Sequence, residues 1–187
     1  MGQYGKSNND RVWKLGQQAA RSCGKNIGRE IKKTKKGITS QSLNQFLNCL
    51  PNFLGCFAEN QFSNLIVTQY PTFVIANIDS YNMKGSHWLT IGIFRDSIEI
   101  FDPLGFTIFN WSRVPCGLLS FLHRMSATRN VLISPRIQSF KSQLCGFYCI
   151  FYLLLRPISS LNIINSFFYL VDSKLNLNDS TLYKFFQ

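Results

Sequence analysis

His87, Asp102, Gln138 and Cys145 occur in an order and in local settings that could together hydrolyse a peptide bond. A cysteine attacks as its thiolate, so a nucleophilic thiol needs neighbours that lower its pKa. Cys145 falls at the start of an apolar stretch read as a helix, where unpaired backbone N–H groups and the helix dipole favour negative charge. His87 would be the base, holding the thiolate as an ion pair and later protonating the leaving amine. Asp102, following Ile98-Glu99-Ile100-Phe101, is the acid that would fix the imidazole's tautomer and orientation. Gln138 offers a side-chain amide to the developing oxyanion, with the backbone N–H of Cys145 as second donor. Gln143 competes for that role from closer to the thiol. Trp88 would flank and shield the imidazole, and Gly146 would let a substrate backbone approach with no side chain in the way. Each residue alone also has a structural reading. A His beside Trp packs in a core, an Asp before Pro opens a turn, and a Cys in an apolar helix is an inert buried thiol. The four together favour catalysis.

These residues need elements to position them. Segments 87–94 and 98–101 read as strands joined by Arg95-Asp96-Ser97, a hairpin that would bring His87 and Asp102 close. From Cys145 to Leu155 the chain is apolar all round, the mark of a helix buried within a domain. Thr39 caps a short helix carrying Leu43, Phe46, Leu47 and Leu50, which Pro51 stops. Residues 52–70 read as loop, 72–78 as a strand and 116–125 as an amphipathic helix. Residues 131–137 read as an edge strand because Pro135 interrupts them. Further helices are expected over 158–171 and 179–186. The sum is an α+β domain over residues 38–187, with a small mixed sheet and a buried central helix that carries the nucleophile.

Residues 1–37 differ in composition. The chain has a net charge of +11, and its first 36 residues hold ten Lys or Arg against Asp10 and Glu30. They show no clear hydrophobic periodicity and are expected to form a flexible or weakly helical extension. Two readings stay open for it: a polyanion-binding arm, with Lys32, Lys33, Lys35 and Lys36 as the nucleic-acid contacts, or a solvated tail. The same Lys-rich cluster has the composition of a nuclear import signal.

Cysteine and histidine usage narrows the classes. The six cysteines follow no secretory signal and include no Cys-x-x-Cys pair, and His87 and His123 are the only histidines. An intracellular protein with reduced thiols and no metal site is expected. Met1-Gly2 opens like a myristoylation signal, but Lys6 stands where Ser or Thr is required. The longest apolar run, Leu144 to Leu155, is too short to cross a bilayer, so no membrane association is expected.

Several blocks resemble the adenovirus-type cysteine proteases, the adenains, which share a larger fold with the SUMO-deconjugating (Ulp-like) proteases. They are Gly85-Ser86-His87-Trp88-Leu89, then Ile100-Phe101-Asp102-Pro103-Leu104-Gly105-Phe106, and Cys145-Gly146-Phe147-Tyr148-Cys149. Pro51-Asn52-Phe53-Leu54-Gly55 and Leu182-Tyr183-Lys184-Phe185-Phe186 extend the likeness over about residues 40–187. The resemblance implies a thiol endopeptidase that needs no cofactor for its chemistry, with His87, Asp102, Gln138 and Cys145 in the family's catalytic order. It further implies cleavage of virion precursor proteins at glycine-containing sites, activation by viral DNA and a peptide, and residence in the host nucleus and virion. The chain departs from the adenovirus pattern in three ways. Its acid is Asp102 where those enzymes carry Glu, a choice shared with the SUMO proteases. Its basic extension has no matching segment. The cysteine that would bond the activating peptide has no clear counterpart, Cys116 being the candidate. An adenovirus-related virus or a Polinton-type element fits as the source. Two alternatives remain: a protease that removes ubiquitin- or SUMO-like modifiers, and an inactive DNA-binding or capsid-associated protein retaining the fold.

Overall fold

An eleven-residue helix with no polar face can exist only if other elements surround it, and the architecture follows from that requirement. The computed structural model describes residues 3–23, 27–33, 37–81, 87–105 and 114–187. Its elements in chain order are α1 (Gln3–Cys23), α2 (Ile27–Lys33), α3 (Ser40–Leu47), β1 (Phe53–Ala58), β2 (Thr72–Asn77), β3 (Trp88–Ile93), β4 (Ser97–Phe101), α4 (Cys116–Ser126), β5 (Asn130–Ile133), α5 (Cys145–Leu155), α6 (Leu161–Asn165) and α7 (Asn178–Phe185). Short 3-10 turns lie at Glu59–Asn64, Arg156–Ile158 and Asp172–Leu177. Every residue of α5 is buried.

The five strands form one mixed sheet in the order β1-β2-β3-β4-β5. Its outer pairs, β1·β2 and β4·β5, are parallel and its inner pairs antiparallel. All residues of β2 and β3 are buried, because the sheet is covered on both faces. Phe73, Ile75 and Phe101 join the core around α5, while Val74, Ala76, Ile91 and Ile100 join Leu118, Phe121 and Leu122 of α4 on the opposite face. The α+β architecture with a central buried helix agrees with expectation.

Several elements differ from the sequence reading. The first 37 residues contain α1 and α2 in place of a flexible or weakly helical extension, and α1 packs on α5. Val12 and Ala20 are buried, and Trp13 sits edge-on to Phe185 at 5.0 Å and tilted against Phe167 at 5.4 Å. The apolar stripe is short and built partly of small residues (Val12, Gly16, Ala20), so the flanking Lys, Arg and Gln hide its periodicity. Residues 53–58 form β1, not loop. The expected helix over 158–171 shrinks to the Arg156–Ile158 turn and α6, since Ser160 caps a fresh start at Ile163 N–H and Ser166 closes the short helix. The expectation that every thiol is reduced is also corrected: Cys23 at the end of α1 is disulfide-bonded to Cys49, after α3. Cys56, Cys116, Cys145 and Cys149 are free.

Candidate active site

His87 and Asp102 meet because β3 and β4 pair antiparallel in a fixed register. Thr90 lies opposite Phe101 and Ile91 opposite Ile100, so the residue before β3 and the residue after β4 emerge at the same sheet end. His87 Nε2 and Asp102 Oδ1 are 2.7 Å apart, with both side chains buried. The carboxylate is itself held. Asp102 Oδ1 also accepts from the N–H groups of Leu104 (3.1 Å) and Gly105 (3.2 Å), and the backbone N–H of Asp102 donates to the buried Ser134 hydroxyl at 3.0 Å. Gly105 closes this turn at φ +68°, a left-handed conformation in which a side chain would be strained.

The turn reaches further. The Pro103 carbonyl accepts from both Ile137 N–H (3.0 Å) and Gln138 N–H (2.8 Å), so the residue after the acid fixes the backbone of the predicted oxyanion donor. Gln138 is buried, and its Nε2 donates to the Ser142 carbonyl at 2.9 Å. An amide nitrogen carries two hydrogens, so one remains for another acceptor. The alternative, Gln143, is exposed to solvent.

Cys145 is the first residue of α5 and is buried. The first N–H groups of a helix have no partner within it, and they favour negative charge at its start. The imidazole of His87 is hydrogen-bonded to Asp102, and Cys145 also acts on its charge. Burial alone would lower the His87 pKa, but the hydrogen bond to Asp102 and the adjacent negative charge outweigh it and raise it from 6.5 to about 9. Cys149, one turn further along α5, shows the contrast: burial pushes its thiol well above the ordinary range, leaving it inert.

Trp88 is buried beside His87, and its indole N–H donates to the Ile38 carbonyl at 3.0 Å. It lines a cavity of about 610 Å³ with Ile38, Thr39, Asn44, Cys56 and Tyr81. The structure gives Gly146 a packing reason that the sequence did not show. A Cβ there would collide with Ile38 Cγ2 and lie 3.3 Å from Trp88 Cδ1, so the missing side chain makes room for Ile38. Sequence reading did not identify Ile38, Ser134, Ser142, Asn178 or Asp179 as supports of the site. Their roles depend on partners distant in sequence, although the Asn178-Asp179 pair opening a helix is a visible signal.

Of the predicted basic contacts, Lys32 is exposed and lines a separate cavity of about 580 Å³ with Arg21, Arg29, Gln17 and Phe185. Lys33 ends α2. Lys35, Lys36, Gly85 and Ser86 lie outside the described residues. Cys116 is exposed at the start of α4. Among the described residues no group of three or more His, Cys, Asp or Glu is arranged to hold a metal ion, and no helix is long and apolar enough to cross a membrane.

No protein-family model matches the chain, and no curated protein sequence matches it. Among solved structures it is similar to the crystal structure of the Se-Met ASFV pS273R protease, with a TM-score of 0.46 and 19% sequence identity over 81% of this chain and 67% of that one.

Proposed function

We propose that the chain is a cysteine endopeptidase with Cys145 as nucleophile, His87 as base and acid, and Asp102 as orienter. One observation carries this reading: a buried imidazole held at 2.7 Å by a carboxylate, its charged form favoured also by the Cys145 thiol that opens a buried helix. With Nε2 engaged by Asp102, Nδ1 is the nitrogen that works toward Cys145. The thiolate Sγ attacks the scissile carbonyl carbon, and the oxyanion is received by the second N–H of the Gln138 amide and the N–H of Cys145. The C–N bond then breaks, the amine leaves with the imidazolium proton, and water activated by His87 releases the acid and restores the thiol. The raised His87 pKa suits this cycle, because the imidazolium that must protonate the amine persists through neutral pH.

The reading extends to substrate and partners. Virion precursor proteins cleaved at glycine-containing sites are the proposed substrates, supported by the sequence blocks around His87, Asp102 and Cys145. Viral DNA is the proposed polyanionic activator, which places the protein in the host nucleus and virion; an activating peptide belongs to the same reading. The cavity lined by Arg21, Arg29 and Lys32 supports the DNA contact, since among the described residues no acidic side chain lines it. Hydrolysis of a glycine-containing peptide panel and of a ubiquitin-like fusion, with and without DNA, tests all of this. Wild-type protein should cleave the panel, and Cys145→Ala should be silent with its fold intact. Cleavage by Cys145→Ala refutes the nucleophile, preference for the fusion indicates a deconjugating enzyme, and DNA stimulation that ignores salt removes the polyanion site.

A further inference from the structure

The segment joining β5 to α5 carries Gln138 and delivers Cys145, yet between them it has no helix or strand to hold its shape. Its support comes from two adjacent residues far along the chain, at the start of α7. Asn178 is fully buried and spends its amide on that segment and its neighbour. Nδ2 donates to the carbonyls of Ile137 (2.7 Å) and Tyr169 (2.8 Å), while Oδ1 accepts from Tyr169 N–H (2.8 Å). The Ile137 carbonyl belongs to the peptide unit whose N–H is that of Gln138.

Asp179 grips the other end. Its Oδ1 accepts two hydroxyl hydrogen bonds, from Ser142 Oγ and from Tyr148 OH, each at 2.9 Å. Those hydroxyls flank the nucleophile: Ser142 lies before Cys145 in the segment, and Tyr148 lies beyond it on α5. Ser142 in turn holds both working parts. Its carbonyl takes the Gln138 amide at 2.9 Å, and its hydroxyl accepts the Leu144 N–H at 3.3 Å, immediately before the thiol. One carboxylate oxygen thus ties the support of the oxyanion donor to the helix that carries the nucleophile. An ionised acceptor makes the stronger kind of hydrogen bond, which suits a group holding two donors at once.

We infer that Asp179, seated by Asn178, is a positioning residue for the oxyanion hole, acting through Ser142 on the Gln138 amide and on the start of α5. The inference rests on the protease reading above. It assigns a kinetic role to a residue that touches no reacting atom, and an offset of about 1 Å in a catalytic donor can cost about 100-fold in rate.

A double-mutant cycle in the full chain tests it, with kcat and KM measured separately on a cleaved peptide and folding checked by thermal denaturation. Asp179→Ala should lower kcat roughly 10- to 100-fold and leave KM within about 3-fold, because the lost stabilisation belongs to the transition state. Asp179→Asn keeps an acceptor oxygen and should recover much of that rate. In a Gln138→Ala background the Asp179→Ala change should cost less than about 3-fold, since the donor it positions is already gone. If Asp179→Ala does not fold, Ser142→Ala carries the same cycle. A wild-type kcat in these variants, or a full loss that persists without the Gln138 amide, overturns the inference. Cleavage by Cys145→Ala would instead overturn the protease reading, so the two failures are distinct.

Discussion

Two buried carboxylates leave β4 and its following turn toward the two ends of α5, and they do opposite jobs. Glu99 meets the far end of the helix. Its Oε2 accepts from Arg156 Nε (2.7 Å) and Tyr152 OH (2.6 Å), and its Oε1 accepts from Arg156 Nη2 (2.8 Å). Arg156 also donates to the Ser159 carbonyl and lies 4.4 Å from the Phe94 ring centroid. Both carboxylate oxygens are taken, and the guanidinium, its pKa raised first by the hydrogen bond to Glu99, never gives up its proton. Asp102, at the Cys145 end, pairs with an imidazole, a group that can release a proton, and Cys145 acts on the charge of that imidazole. Burial, short hydrogen bonds and perturbed titration are common to the two clusters. A site is distinguished by a titratable partner with a reactive atom on its far side, and a closed ionic lock by having neither.

This contrast can be broken by experiment. Asp102→Asn should cut kcat/KM roughly 100- to 10,000-fold while keeping the fold, because an amide can still accept the Leu104 and Gly105 N–H bonds but no longer balances an imidazolium, so the melting temperature should fall at neutral pH and approach wild type above pH 9. An unaltered rate would remove Asp102 from the site. Glu99→Ala should do the reverse. Stripping one partner from a buried pair costs about 3–5 kcal/mol of stability, so the denaturant midpoint should fall while the rate of the folded fraction stays within about 3-fold of wild type. A rate loss as large as that of Asp102→Asn would show that the two clusters are coupled through α5.

The smallest effect lies in pH. His87 has a folded-state pKa of about 9 against 6.5 unfolded, so its stabilisation is fully present below pH 6.5 and is lost as pH rises through 9. A shift of that size corresponds to roughly 3 kcal/mol. Unfolding free energies of wild type and His87→Gln should therefore diverge below pH 6.5 and converge above pH 9. Parallel curves would mean that the imidazole is not held as a cation.

The parts that sequence disclosed are those whose signal is local. The β3–β4 hairpin and α5 announce themselves through continuous apolar runs and a polar turn, and they carry three of the four proposed catalytic residues to their ends. What stayed hidden depends on partners elsewhere. β1 is a partly exposed edge strand with an irregular register near Gly55, whose φ of +138° suits only glycine, so its alternation is broken. α1 reads as polar until Leu155 and Phe185 are seen packed beside Gly16. Asp179 looks like a helix-start acid until Ser142 and Tyr148 converge on it. Gly146 illustrates a subtler limit: its absent side chain was legible, but which neighbour fills the space was not.

On the proposed reading, the Asp102–Gly105 turn fixes a mechanical tolerance for the whole reaction. Asp102 holds the His87 imidazole, and the very next carbonyl, that of Pro103, locates the backbone of Gln138, so the two are machined on one jig. A shift of that turn cannot misalign the proton-transfer group while sparing the oxyanion donor, and a correction to one carries the other with it. Errors in the site are therefore correlated, and a longer acid at this position would require the jig itself to be recut.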